Sequence, residues 1–525
     1  MSSETNSSVI TEAVTAGYTF EGPALELGAL MVGPDQVVQA PVRIPLGMVN
    51  RHGLVAGATG TGKTKTLQLL AEQLSSNGVP VFAADIKGDL SGLAMPGEPG
   101  AKVESRSAAV GHAWEARGFP VELFAIGGEG DGVPLRATIS SFGPTLLSKV
   151  LGLNDTQESS LGLVFHYADR AGLPLLDLAD LRAVVQFLLS DEGKADLKNL
   201  GGLATSTAGV ILRELIAFSD QGADAFFGEP ELDTAELLRV ADDGRGVISL
   251  VELPRLQDRP AVFSTFLMWL LADLFNDLPE VGDIEKPKLV FFFDEAHLLF
   301  KDASKAFLDA IAQTVRLIRS KGVGVFFVTQ GPTDVPDEVL AQLGSRVQHQ
   351  LRAHTPNDAK ALKATVNTYP TSEYDDLGEV ITSLGIGEAV VTVMNERGAP
   401  TPVAWTMLRA PESRMSPADQ AVLDRIVAAS PLGAKYAEAL DRDSAHEMLA
   451  RKLEAGAAAE AEEAARAKAE KAPADRVSYP KKSSPAPQEQ GSIVHDILTS
   501  PMAKDLARTA AREIFRGVFG TARRR

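Results

Sequence analysis

The segment GATGTGKT at positions 57–64 fits the pattern G-x-x-x-x-G-K-[ST], and it lies between an apolar run, GLVA, and a run with helical spacing, KTKTLQLLAEQLSSNG. This placement limits the fold more than any other feature of the chain. Glycines let successive backbone N–H groups wrap one centre, and the helix that follows turns its positive dipole end toward the same point. Such a strand, turn and helix suit a chain of phosphates. The predicted nucleotide-binding residues are therefore Gly57, Ala58, Thr59, Gly60, Thr61, Gly62, Lys63, Thr64 and Lys65. Lys63 is placed to reach the β- and γ-phosphates and Thr64 to give its hydroxyl to Mg2+, so ATP and Mg2+ are the expected ligands.

Further apolar runs extend the pattern. VPVFAAD, VELFAI, GVISLVEL, KLVFFFDEA and VGVFFVTQ alternate with helical stretches. Strands that are nearly all apolar imply burial on both faces, and hence an α/β fold of the P-loop (RecA-like) kind with a mostly parallel sheet. One run ends in Asp294–Glu295. A strand-end Asp holds the Mg2+ shell in nucleotide triphosphatases and a following Glu polarises water, so Asp294 is the metal candidate and Glu295 the general base. The same two carboxylates would also serve as caps for the next helix. Gln330, at the end of VGVFFVTQ, is placed to sense the γ-phosphate or orient water, or else to begin the turn that follows. In DIKGDLSG, Lys87 either touches phosphate or belongs with Asp85 and Asp89 to a loop that caps a helix. The letters DEAH at 294–297 do not make a helicase box, because no other box of that kind accompanies them.

Composition bounds what surrounds this core. The chain has 525 residues, a net charge of −18 and no cysteine. The charge excludes a general nucleic-acid-coating surface and leaves only a local basic feature or an assembled channel. Absence of cysteine removes disulfides, thiolate zinc sites and thiol nucleophiles. Residues 1–45 read as a short β-rich segment, 46–126 and 245–410 as the ATPase core, 127–244 as a helical insertion, and 411–443 as a helical extension. Residues 444–490 read as an Ala/Glu/Lys-rich helix with a Pro/Ser-rich linker, and 491–525 as a basic helical tail. In the tail, seven basic residues outnumber two acidic ones from position 501 onward, with Arg508, Arg512 and Arg516 on one face. That stripe would bind phosphates, or pair with an acidic protein surface. No secretory signal opens the chain, and its most apolar helical run, 262–275, falls short of the roughly 20 residues of a membrane span. A cytoplasmic protein with no membrane association is expected.

The chain resembles the HerA/FtsK superfamily of ring-forming P-loop ATPases, and within it the HerA-like bacterial ATPases of the YjgR type. The resemblance rests on HGLVAGATGTGKT at 52–64, DIKGDLSGLA at 85–94, LNDTQES at 153–159, FFFDEAHLLF at 291–300, VTQGPTDVPDEVLAQLGSRVQHQLRA at 328–353 and SPMAKDLARTAAREI in the tail. It implies a homo-oligomer, a hexamer, that couples ATP hydrolysis to movement of double-stranded DNA. It also implies an arginine acting on the neighbouring subunit's nucleotide. Arg346, which opens the strand after Gln330, is the first choice, and Arg316 and Arg319 compete with it. The catalytic set is then Lys63, Glu295, Gln330 and Arg346. Translocases of this kind carry an N-terminal β-barrel, for which residues 1–45 are too few, so docking of a nuclease or another protein partner stays open. Two alternatives remain: a protein or peptide cargo, and a nucleotide-gated scaffold in which turnover is incidental.

Overall fold

The structure, a computed structural model, describes residues 2–126, 130–197, 200–252, 260–282, 284–300, 303 and 305–470. Along the chain come helix α1 (Ser2–Gly17), strands β1 (Ala24–Val32), β2 (Asp35–Pro45) and β3 (Gly53–Ala56), helix α2 (Lys63–Ser76), β4 (Val81–Asp85), α3 (Ala101–Ala109), β5 (Val121–Ile126) and β6 (Val133–Leu135). Helices α4 (Ile139–Val150), α5 (Asp155–Ala171), α6 (Leu178–Leu189), α7 (Asp191–Leu197) and α8 (Thr205–Asp220) follow. The strand–helix pattern then resumes with β7 (Ile248–Glu252), α9 (Pro260–Asp277), β8 (Leu289–Phe293), α10 (His297–Phe300), α11 (Lys305–Ile318) and β9 (Val323–Thr329). The remaining elements are α12 (Asp337–Leu340), β10 (Ser345–Gln348), α13 (Pro356–Val366), α14 (Leu377–Ser383), β11 (Glu388–Thr392), β12 (Ala404–Leu408), α15 (Gln420–Ala429), α16 (Gly433–Tyr436) and α17 (Ala445–Glu470).

Among the described residues the strands form one twelve-stranded sheet in the order β2-β1-β12-β11-β10-β3-β9-β8-β4-β7-β5-β6. From β10 through to β6 every neighbouring pair runs parallel. From β10 to β2 every pair runs antiparallel. The sheet is thus α/β and mostly parallel, with an antiparallel edge. Strand periodicity shares the apolar runs between two cores. Leu289, Phe291 and Phe293 of β8 face one core with α9 and α11. Val290 and Phe292 face the other, together with Leu67, Leu70 and Leu74 of α2. Burying each such phenylalanine contributes about 1.5–3 kcal/mol, which fixes the strand against any shift in register.

Several elements differ from the sequence expectation. The β-rich lead-in is the outer edge of the main sheet, because β1 pairs with β12 as well as with β2. Before it stands α1, in a stretch read as part of that β-rich segment. Ile10, Val14 and Tyr18 recur every four residues, and all are buried. The Tyr18 hydroxyl donates to the carbonyls of Val391 (3.1 Å) and Pro402 (3.0 Å), anchoring α1 near β11. The segment 127–244 holds β6, the last strand of the sheet, besides its helices. Leu161, Val164, Leu181 and Ile211 of those helices belong to the same core as Phe291 and Phe293, so they are packed onto the sheet. The first turns of α17 dock on α6, where Asp180 Oδ1 accepts from His446 N at 2.8 Å, and Ala445 and Leu449 are buried. The linker and the basic tail expected beyond residue 470 lie outside the described residues.

Candidate functional site

The C-terminal ends of β3, β9 and β8 lie side by side, and each delivers part of the site. β3 runs into the P-loop, and Gly62, at φ 116°, caps α2 in a left-handed conformation that side-chain-bearing residues rarely adopt. A Cβ on Gly57 would meet His349 Cβ at 2.5 Å, so the loop needs glycine there for close approach. Lys63 Nζ donates to the carbonyls of Gly57 (2.7 Å) and Ala58 (3.2 Å) across the loop, and burial depresses its pKa while Glu295 opposes the shift. The loop is held from the β10 side as well. Ala58 N donates to Gln350 O at 2.8 Å, and Gly387 N donates to Thr61 O at 3.0 Å.

His349, which sequence reasoning passed over, is the pin of that support. Its Nε2 lies 2.9 Å from Thr66 Oγ1 and its Nδ1 2.9 Å from Glu388 O. Burial pushes its pKa down to about 4, so the ring is neutral, with Nδ1–H donating and Nε2 accepting. His52 is likewise structural, accepting from Val325 N at 3.0 Å through Nδ1.

β8 delivers Asp294 and Glu295. Asp294 is buried, its Oδ1 accepts from Glu295 N at 2.9 Å, and its Oδ2 has no hydrogen-bond partner. Burial and the adjacent Glu295 carboxylate push its pKa up to about 7. An unsatisfied buried carboxylate oxygen is costly and calls for a cation or water shell. With Thr64 at the start of α2 as a second oxygen donor, these residues fit an Mg2+ ion. Glu295 sits at φ 48°, in the left-handed region. Its Oε1 forms an ion pair with Lys87, and its Oε2 faces His297 Nδ1 at 3.3 Å. Burial raises the Glu295 carboxyl, but Lys87 outweighs burial and the pKa ends below the usual glutamate value. Lys87 reaches across because Asp85, at the end of β4, folds the intervening turn by accepting from Gly88 N and Leu90 N at 2.8 Å each.

β9 delivers Gln330. It is exposed and follows a strand flanked by β3 and β8, so it stands between the P-loop and the Asp294–Glu295 turn. The turn beyond is fixed by Asp334, whose Oδ2 accepts from Thr329 Oγ1 and Gly331 N at 2.8 Å each.

The remaining candidates lie around β10, α11 and α2. β10 runs parallel to β3 with Arg346 opposite Leu54 and Gln348 opposite Ala56, so the start of β10 lies toward the sheet edge away from the P-loop. Arg346 therefore stands apart from its own phosphate site, and its Nη1 donates to Thr368 O at 3.3 Å. Arg316 and Arg319, exposed at the end of α11 just before β9 begins, also belong to that far edge. The arginine that reaches the P-loop is Arg352, whose Nη2 donates to Thr59 O at 3.4 Å. The side chain of Lys65, the last of the nucleotide-binding candidates, donates to Met415 O and to Gln68 Oε1 at 3.2 Å.

Lys65 belongs to a feature the sequence did not announce. After β12 the chain crosses α2 as a strap. Glu72 accepts from Glu412 N (2.8 Å) and Ser413 N (2.9 Å), and Gln68 Nε2 donates to Arg414 O (2.9 Å). Residues 65, 68 and 72 share one helix face, and two of them, Gln68 and Glu72, are buried polar side chains.

Strand-end carboxylates beside a P-loop on a parallel sheet define a P-loop nucleotide triphosphatase fold. Residues 31–525 match the family described as helicase HerA-like C-terminal, and the chain belongs to that family. A stretch of 155 residues is 30% identical to the probable helicase MJECL08 of Methanocaldococcus jannaschii, covering 27% of this chain and 28% of that protein. The matched stretch thus spans little more than a quarter of that relative. Among solved structures, the bacterial conjugative coupling protein TrwBdeltaN70 superposes with a TM-score of 0.50 at 15% identity, over 77% of this chain and 94% of its own. VirB4 of Thermoanaerobacter pseudethanolicus superposes with a TM-score of 0.45 at 15% identity, over 74% and 97% of the two chains. The TrwB likeness speaks for the fold alone.

Proposed function

We propose that this protein is an Mg2+-dependent ATPase that works as a hexameric ring and moves double-stranded DNA. The observation that carries the ATPase reading is the meeting of the P-loop, Gln330 and Asp294–Glu295 at the adjacent ends of β3, β9 and β8. In this reading Lys63 exchanges the carbonyls of Gly57 and Ala58 for the β- and γ-phosphates, and the P-loop amides hold the phosphate chain. Thr64 and Asp294 hold Mg2+, which when bound draws charge from the phosphate oxygens. Glu295 leaves Lys87, orients a water and takes its proton, and Gln330 contacts the γ-phosphate or that water. A contact of Arg346 with a neighbouring subunit's nucleotide rests on the family resemblance, and its place at the far edge of the sheet lends it no support within one subunit. Arg352 is the guanidinium beside the P-loop itself.

Membership of a family described as helicase-like supports DNA as the cargo. Protein cargo is the second reading, favoured by the net charge of −18, which repels a polyanion except within a local channel. No helix among the described residues is long and apolar enough to cross a membrane. ATPase rate measured with and without double-stranded DNA, at low and moderate salt, separates the two cargoes. Stimulation that fades with salt supports DNA translocation, and normal basal turnover with no stimulation at either salt excludes it.

A further inference from the structure

The N-terminal ends of the parallel strands β10, β3, β9 and β8 share the sheet edge opposite the P-loop, and the residues leading into them are rich in Lys and Arg. Arg51 lies two positions before β3, Arg319 and Lys321 belong to the turn into β9, and Lys286 and Lys288 lead into β8. β11 runs antiparallel to β10 with Thr392 opposite Arg346, so the hairpin that follows Thr392 reaches the same edge and carries the exposed Arg397 to it. Acidic residues are outnumbered there. Glu280 and Glu285 flank the turn before β8, and Glu396 accepts from Glu21 N (3.1 Å) and Gly22 N (2.8 Å). At the other edge, where the strands end, stand Asp85, Asp294, Glu295 and Asp334, so charge is polarised across the sheet.

Toward β7 and β5 the basic residues are neutralised within the fold. Arg245 pairs with Asp243 at 2.7 Å, Arg239 with Glu122 at 2.6 Å and Arg117 with Glu115 at 2.9 Å. From β8 to β11 the pattern changes: Lys288, Arg316 and Arg397 are exposed and have no ion-pair partner among the described residues. A cation in the last turn of a helix complements its dipole, which accounts for Arg316 at the end of α11. It does not account for Lys288 in the loop before β8 or for Arg397 in a hairpin. Like charges side by side repel one another, and a polyanion laid along them relieves the repulsion. The band crosses five strand ends, from β11 to β8, which at about 4.8 Å per strand makes it roughly 19 Å long. One nucleotide's phosphates do not fill that length. A DNA strand, with a phosphate about every 3.4 Å along the duplex axis, does.

We propose that this basic edge, with Lys288 and Arg397 among its unpaired cations, is the face on which the protein holds the phosphate backbone of double-stranded DNA. This rests on the DNA reading above and locates the contact on the chain. The net charge of −18 is then no obstacle, because the negative charge is concentrated elsewhere and the duplex meets a locally positive band. Contacts of this kind position a duplex without reading its sequence.

The test follows binding of a fluorescent double-stranded oligonucleotide by anisotropy over a range of salt, in the full-length chain, in Lys288→Ala, in Arg397→Ala and in the double variant. Both side chains are exposed and come from separate segments, so misfolding of one variant leaves the other. Each phosphate contact contributes about 0.9 to the slope of log affinity against log salt, so each single variant should flatten that slope by about 1 and the double variant by about 2. A control, Arg170→Ala with Arg213→Ala, removes the same charge from exposed positions on α5 and α8 and should keep the parental slope and affinity. The KM for ATP and the turnover without DNA should be parental in the double variant. A double variant that binds duplex as the parent does, or a control that weakens as much as the double variant, overturns the edge and leaves the DNA reading standing. A raised KM or lowered basal turnover would mean that these cations serve a nucleotide, and overturns it too. A folded parent that binds no duplex at low salt overturns the DNA reading, and the edge falls with it.

Discussion

Lys87 and Glu295 form an ion pair across two neighbouring strands, joining the turn after β4 to the end of β8. The carboxylate proposed to activate water is thus tied to an ammonium, and the two act as one unit. Glu295→Gln is expected to lower turnover by about 10²–10⁴-fold while ATP binding survives. Because paired residues do not contribute independently, Lys87→Met added to Glu295→Gln should slow the enzyme by less than about twofold more. Single-turnover phosphate release in the two single variants and the double variant checks this. Effects that multiply would show Lys87 acting elsewhere, on phosphate.

Gly57→Ala is expected to damage the nucleotide site and stability together. The new methyl would stand 2.5 Å from His349 Cβ and 3.0 Å from Thr61 Oγ1. Overpacking of this kind costs about 1–3 kcal/mol. A fall in denaturant midpoint with loss of nucleotide binding is the predicted pair of results; a variant with parental midpoint and affinity would contradict the close approach.

The strap should respond to loss of Glu72. Glu72→Ala removes the acceptor for Glu412 N and Ser413 N and leaves those donors without it inside the fold. A loss of about 1–3 kcal/mol is expected, read from urea unfolding. Parental stability would show that the strap is not held there.

Glu72 also predicts a pH dependence. Its carboxyl is raised from 4.5 to about 7, first by burial and further by Glu412, against hydrogen bonds from the Ser413 hydroxyl and the N–H groups of Glu412 and Ser413. A carboxyl raised in this way binds its proton more tightly in the folded chain. Its contribution is full below the unfolded value and is lost as pH climbs through the folded one. Relative to Glu72→Gln, the parent should therefore lose denaturant midpoint between about pH 5 and pH 8. A constant difference across that range would refute the shift.

The parts of the site legible in sequence are those written locally. GATGTGKT and the strand ends at Asp294–Glu295 and Gln330 each combine an apolar run with the residue that terminates it, and strand-end placement follows from the α/β rule. The parallel centre of the sheet was readable for the same reason. Which end of β10 carries Arg346 was not legible, because that is decided by the pairing of β10 with β3. The strap was invisible because residues 411–418 show no periodicity, and their partners on α2 lie 340 or more positions earlier. Helix α1 was missed because its burial rests on three residues in a run of serines and threonines.

The strap sets an order of events in the making of the protein. Helix α2 emerges early in synthesis, yet Gln68 and Glu72 bond to residues 412–414, separated from them by most of the folded chain. β3, which carries the P-loop, also waits for both its neighbours, β9 and β10. Long-range closures of this kind come late in folding. A nascent chain therefore holds a recognisable P-loop sequence long before it holds a finished nucleotide pocket. Premature termination anywhere before residue 412 removes the strap donors to Glu72 and the strap acceptor of Gln68, two buried polar side chains of α2, so an unfinished chain carries a buried carboxyl that nothing satisfies from that side.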